Sequence, residues 1–163
     1  MRKIVVLLLT AVAVVACTSI DCPVQNTVLT VYSLQKANGT PDTLGVDTLW
    51  VWTQKSNGRD TLLNSLYGES ATSFYLPISY TQPEDVLCLA VTDTAGAFYL
   101  DTIRIKKENI PHFESVDCQA AYFHTITDVS TTHDIVDSIV INNPNVNYDT
   151  QTTHLKLYLK PRR

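Results

Sequence analysis

The sequence predicts an all-β protein, an antiparallel β-sandwich of immunoglobulin-like type behind an N-terminal signal segment. Three observations predict it. Threonine supplies 21 residues and is joined by many Val, Ile and Tyr, whose branched or aromatic side chains suit a pleated sheet. No stretch beyond residue 17 keeps apolar positions at helical spacing for three turns. Turn chemistry instead cuts the chain into about ten short runs, the pattern of a two-layer sheet; barrel closure is the alternative that such a pattern does not separate.

The expected strands are 26–34, 46–55, 59–66, 71–76, 85–92, 97–106, 112–117, 121–128, 133–141 and 153–160. Between the second and third, Asn57-Gly58 is the pair favoured in a two-residue type I′ hairpin, and a turn centred there sets Lys55 opposite Asp60 and Trp52 opposite Leu63. Pro77 and Pro83 bracket the loop before the fifth, because proline cannot donate to an interior ladder. A second hairpin is expected at Asp93, Thr94, Ala95 and Gly96, joining the fifth and sixth. Residues 142–149, rich in asparagine, read as a long ordered turn before the last strand. Asp-Thr recurs six times, beginning at Asp42, Asp47, Asp60, Asp93, Asp101 and Asp149, and reads as the point where a turn gives way to a strand.

The chain divides into a signal peptide at 1–16, an anchor and linker at 17–25 and the sandwich at 26–163. Arg2 and Lys3 precede an apolar run, residues 4–15, in which only Thr10 is polar. Such a run rises about 18 Å as a helix, short of a hydrocarbon layer of about 30 Å, so it reads as an export signal rather than a permanent span. It ends in Val14, Val15, Ala16 and Cys17, which resembles the bacterial lipobox, with Cys17 the lipid attachment residue. The alternative is an ordinary signal peptide cut nearby. Acyl chains would moor the protein to the cell envelope, and with one acid just after the cysteine the outer membrane facing the periplasm is the expected place.

Removing 16 of 163 residues leaves 147 and takes the formal charge from −4 to −6, since Arg2 and Lys3 go. An acidic surface repels phosphate backbones, so nucleic acid is not expected as a partner. In an oxidising compartment Cys22, Cys88 and Cys118 remain. Cys88 sits in an apolar run and reads as a buried thiol. Cys22 and Cys118 follow the similar contexts Ser-Ile-Asp and Ser-Val-Asp, and they are the expected disulfide.

Candidate chemistry is sparse. Trp50 and Trp52 share one strand face: exposed, they would form a sugar-stacking platform, and covered, they would pack a central strand. His124 and His133 would face each other across a turn at 127–130 and could ligate a metal, although zinc-ligand spacing is missing. No nucleophile elbow, zinc-protease helix motif, phosphate loop or Cys-x-x-Cys is present, so no cofactor is expected and catalysis is disfavoured.

Several segments, among them Pro111-His112-Phe113-Glu114-Ser115-Val116-Asp117-Cys118 and Ile141-Asn142-Asn143-Pro144-Asn145-Val146-Asn147-Tyr148-Asp149, resemble those of small Gram-negative bacterial lipoproteins grouped as a domain of unknown function. The resemblance covers most of the chain after the signal. It implies lipidation and carries no activity. The expectation is a lipid-anchored envelope protein acting as a binding or accessory module for an envelope partner; a carbohydrate-binding lipoprotein and a metal-dependent hydrolase are the alternatives.

Overall fold

The structure, a computed structural model, describes residues 22, 28–45, 47–54, 60–64, 71–93 and 96–161. It is all β, with no helix among these residues and two sheets packed face to face, as a β-sandwich. The strands are β1 Leu29–Gln35, β2 Thr48–Gln54, β3 Asp60–Asn64, β4 Ser73–Pro77, β5 Glu84–Thr92, β6 Phe98–His112, β7 Ala121–Thr131, β8 Val136–Ile141, β9 Asn145–Val146 and β10 Leu155–Leu159. The small sheet runs β4-β1-β10-β8 and the large one β3-β2-β5-β6-β7-β9. One ladder departs from the antiparallel expectation: β1 and β10 pair in parallel, Tyr32 opposite Leu155 and Leu34 opposite Leu157.

Period-two alternation explains what each strand buries. On β2, Leu49 and Val51 enter the core; on β5, Leu87, Leu89 and Val91; on β6, Ile103 and Ile105. Leu34, Phe74, Val136, Leu155 and Leu157 meet them from the small sheet, each 1% exposed or less. Burying a Leu, Val or Phe side chain fully is worth about 1.5–3 kcal/mol, so this shared layer is what joins the sheets.

Three expectations are corrected. Residues 112–117 are not a strand, because β6 runs on through Pro111 to His112. Beyond Glu84, which faces Lys106, β5 has ended; the Lys107 N–H still donates to the Pro83 carbonyl at 2.9 Å, but Pro111 lies past the end of that ladder, where proline is tolerated as on an edge. The expected turn at 127–130 is a bulge inside β7: Lys106 faces Asp128 and Lys107 faces Ile126, leaving Thr127 as the extra residue. In the β2–β3 pair, Trp52 faces Leu62 and Gln54 faces Asp60, one residue from the expected register, and a bulge restores the offset at Val51 opposite Asn64. Lys55 and the Asn57-Gly58 turn lie outside the described residues.

The β5–β6 turn forms where expected. The Gly96 N–H donates to the Asp93 carbonyl at 3.1 Å with Gly96 at φ +81°, a conformation glycine adopts without Cβ strain. Residues 142–154 are held by short side chains acting on nearby backbone: Asn143, Asn147 and Asp149 each accept the N–H two residues on. The segment also hides a strand that the asparagines masked, β9, whose Val146 is 1% exposed and faces His124.

All of this gives the sandwich two distinct ends. One carries the loop between β6 and β7 and the loop between β4 and β5. The opposite end carries the β5–β6 turn, the β7–β8 connection and the residues after β10.

Candidate functional site

The end with the β5–β6 turn is built on Asp101. On β6 the residues 101, 103, 105 and 107 all point inward, so the carboxylate is carried into the interior, 2% exposed. Its Oδ1 accepts the Thr102 N–H at 2.7 Å, the Thr131 hydroxyl at 2.7 Å, and both the N–H and the hydroxyl of Thr132. Its Oδ2 accepts the N–H groups of Asp134, Ile135 and Val136 at 3.1, 2.9 and 2.8 Å. Burial is the largest influence on this group and pushes its pKa up, but the hydrogen bonds together outweigh it and hold the carboxyl at about 2. A carboxylate ionised at neutral pH therefore clamps the segment by which the chain leaves the large sheet and enters the small one.

The clamp shapes a cleft. The connection it holds turns at His133, which has φ 63° and is fixed by its Nδ1–H donating to the Asp137 carbonyl at 2.7 Å. Lys160 donates from Nζ to the His133 carbonyl. Beside this segment lies a cleft of about 420 Å³ with an apolar lining of Val91, Ile135 and Pro161 and with Tyr99 at 54% exposure. Asp47, Asp93, Asp134 and Lys160 supply its charge. Phe98 and Leu100, 57% and 51% exposed, flank Tyr99 on β6. The cleft falls within the size range of ordinary ligand pockets, about 300–1,000 Å³. Among the described residues no three His, Cys, Asp or Glu side chains gather as a metal would require.

At the other end the interior is polar but held neutral or paired. Lys107, buried, donates to Asp85 at 2.9 Å and to the Gln82 carbonyl at 3.0 Å. His124, 2% exposed, bonds through Nδ1 to Asn109 Oδ1 at 2.7 Å. Burial, and then the Lys107 ammonium, lower its pKa to about 4, so the ring is neutral and Nδ1–H is the donor. His154 is fully buried between β1 and β10. Its Nδ1 accepts the Val31 N–H and its own N–H donates to the Val31 carbonyl, both at 2.9 Å. Burial lowers its pKa, against the raising influence of the Asn145 backbone and Asp149.

The residues singled out in the sequence fare unequally. Cys22 and Cys118 form the disulfide, with Cα atoms 5.5 Å apart, tying the start of the domain to the β6–β7 loop. Cys88 lies half-buried on β5, outside that bridge. Cys17 and the signal segment lie outside the described residues. Trp50 and Trp52 are half-buried on the outer face of the large sheet, opposite Leu49 and Val51; they are neither core residues nor a bare platform. His124 and His133 are not brought together, since seven strand residues, roughly 20 Å, separate the middle of β7 from the connection beyond it. Asp101, the Asp85–Lys107 pair and His154 were missed. The signal was present for two of them: inward alternation through Ile103 and Ile105 puts Asp101 and Lys107 on the core face.

Fold and site together define a disulfide-stapled β-sandwich with a clamped, open cleft at one end. The chain belongs to a family of unknown function, DUF6452, whose model matches residues 48–159, from the first residue of β2 to the last of β10. No curated protein and no solved structure matches the chain.

Proposed function

We propose that the protein is a lipid-anchored binding module of the bacterial cell envelope, moored through Cys17 on the outer membrane and facing the periplasm. The cleft beside Tyr99 takes a segment of an envelope protein. The observation that carries the reading is the opposition of the two ends: the disulfide ties the segment next to the anchor to one end, and the cleft opens at the other. Mooring raises the local concentration of the cleft, so a modest interface suffices. An apolar lining with three aspartates and one lysine suits an extended segment that carries basic side chains.

The test is photocrosslinking in intact cells with p-benzoylphenylalanine replacing Tyr99. One envelope protein captured there, and lost when Asp134→Ala is added, is the expected result. Capture no greater than from position 75 on the outer face of the small sheet overturns it. A glycan reading draws on Trp50 and Trp52, which lie in one row with Ala90 and Leu100 and in another with Cys88 and Thr102. Tryptophan emission that shifts saturably with an oligosaccharide would favour it over a protein partner.

A further inference from the structure

The end opposite the cleft exposes apolar side chains that the fold does not need. Val116 is 98% exposed, Phe113 66%, Tyr80 57% and Ile110 45%. They sit on a braced base. Tyr80 stacks on Tyr122 with ring centroids 4.9 Å apart, and Phe123 stacks on His112 at 4.1 Å and meets Tyr148 edge-on at 5.1 Å. The disulfide fixes the loop that carries Phe113 and Val116, because Cys118 belongs to it. A disulfide-tied tip bearing one aliphatic and one aromatic residue, on the same end of the sandwich as Tyr80, Tyr122 and Tyr148, has the composition of a bilayer interface, where amphipathic rings sit at headgroup level.

Chain length selects the occupant. Four residues, and so five Cα-to-Cα steps, separate Cys17 from Cys22, a reach of at most about 18 Å. From Asp101 to His112, β6 alone spans roughly 36 Å. The tether is thus shorter than the molecule, and Cys22 is bonded to the apolar tip. Charge narrows the lipid. Glu114, paired with His112 at 3.0 Å, and Asp117 flank the tip, and both disfavour dense anionic headgroups.

We infer that the β6–β7 loop, with Phe113 and Val116 at its tip, rests in the interfacial layer of a bilayer of zwitterionic lipid and so holds the cleft pointing away from the membrane. The inference rests on the anchoring proposed above, and its test separates the two. Full-length protein made in Gram-negative cells, with p-benzoylphenylalanine at position 116 or at position 38 on the cleft end, is reconstituted in phosphatidylethanolamine–phosphatidylcholine vesicles and irradiated. Lipid adducts at 116 are expected to exceed those at 38 by about tenfold or more, as for a buried against an aqueous site. Equal yields overturn the inference, as does crosslinking of 116 to a second copy of the chain in place of lipid. The N-terminal peptide of the same sample reports acylation. Equal yields on acylated protein remove the docked surface and leave the anchor, whereas lipid adducts at 116 without acylation keep the surface and remove the anchor.

Discussion

The two ends of the sandwich solve the burial of polar groups in opposite ways. At the cleft end the buried carboxylate of Asp101 stays charged and is satisfied by backbone N–H groups and threonine hydroxyls from three strands and a connection. At the disulfide end His124 and His154 are buried uncharged, and the buried ammonium of Lys107 has its counter-ion beside it. A charge with many donors tolerates burial. A charge without them is given up or neutralised. The comparison teaches that the cleft end is locked by ionisation and the disulfide end by neutrality and a covalent link, so acid should strike the two ends in separate pH ranges and reductant the disulfide end alone.

The largest effect expected is from Asp101→Ala, which leaves the N–H groups of Asp134, Ile135 and Val136 without their acceptor. Stability should fall by about 3–5 kcal/mol, and Asp101→Asn, which keeps one acceptor oxygen, should lose less. Urea midpoints at constant m-value measure this, and a loss below about 1 kcal/mol would remove the clamp from the account.

Next comes the disulfide. Replacing both Cys22 and Cys118 by serine should cost about 2–4 kcal/mol, since the bridge closes a long loop. Amide protection at residues 134–136 should survive under native conditions, because the clamp lies at the other end. If protection is lost at both ends together, the two are one cooperative unit and the comparison fails.

The response to pH should have two stages. Both histidines have folded pKa values below the ordinary 6.5, so the unfolded chain binds the extra protons; their stability is present above about pH 6.5 and is lost as pH falls below it, that of His124 as pH falls toward 4. Asp101 is lowered from 3.8 to about 2, so its contribution is present above pH 3.8 and is lost as pH falls through 2. Thermal melts against pH should show both limbs, and His124→Asn, which can still donate to Asn109, should weaken the upper one only. The smallest effect is at the surface: Tyr99→Ser should change stability by less than about 0.5 kcal/mol while abolishing partner capture by p-benzoylphenylalanine placed at position 161 of the same cleft.

Much of the fold was legible because alternation and turn chemistry are local. Leu49 and Val51, the Asp93–Gly96 turn and the Cys22–Cys118 pair could all be read from short stretches. What escaped reading depended on partners distant in sequence. Asp101 resembles the other five Asp-Thr pairs and looks like the start of a strand, yet it lies three residues inside β6, and its role depends on residues some 30 positions away. The parallel β1–β10 ladder, the bulge at Thr127 and the burial of Val146 likewise belong to strand pairing rather than to any window of sequence. The cleft was invisible for the same reason, as its residues run from Asp47, just before β2, to Pro161, after β10.

The mooring of one end underlies the proposed role, and the mass of the N-terminal peptide from protein purified out of native membranes tests it directly. A peptide beginning at Cys17 and carrying acyl chains is predicted. A peptide that retains residues 1–16, starts elsewhere, or bears an unmodified Cys17 would contradict it.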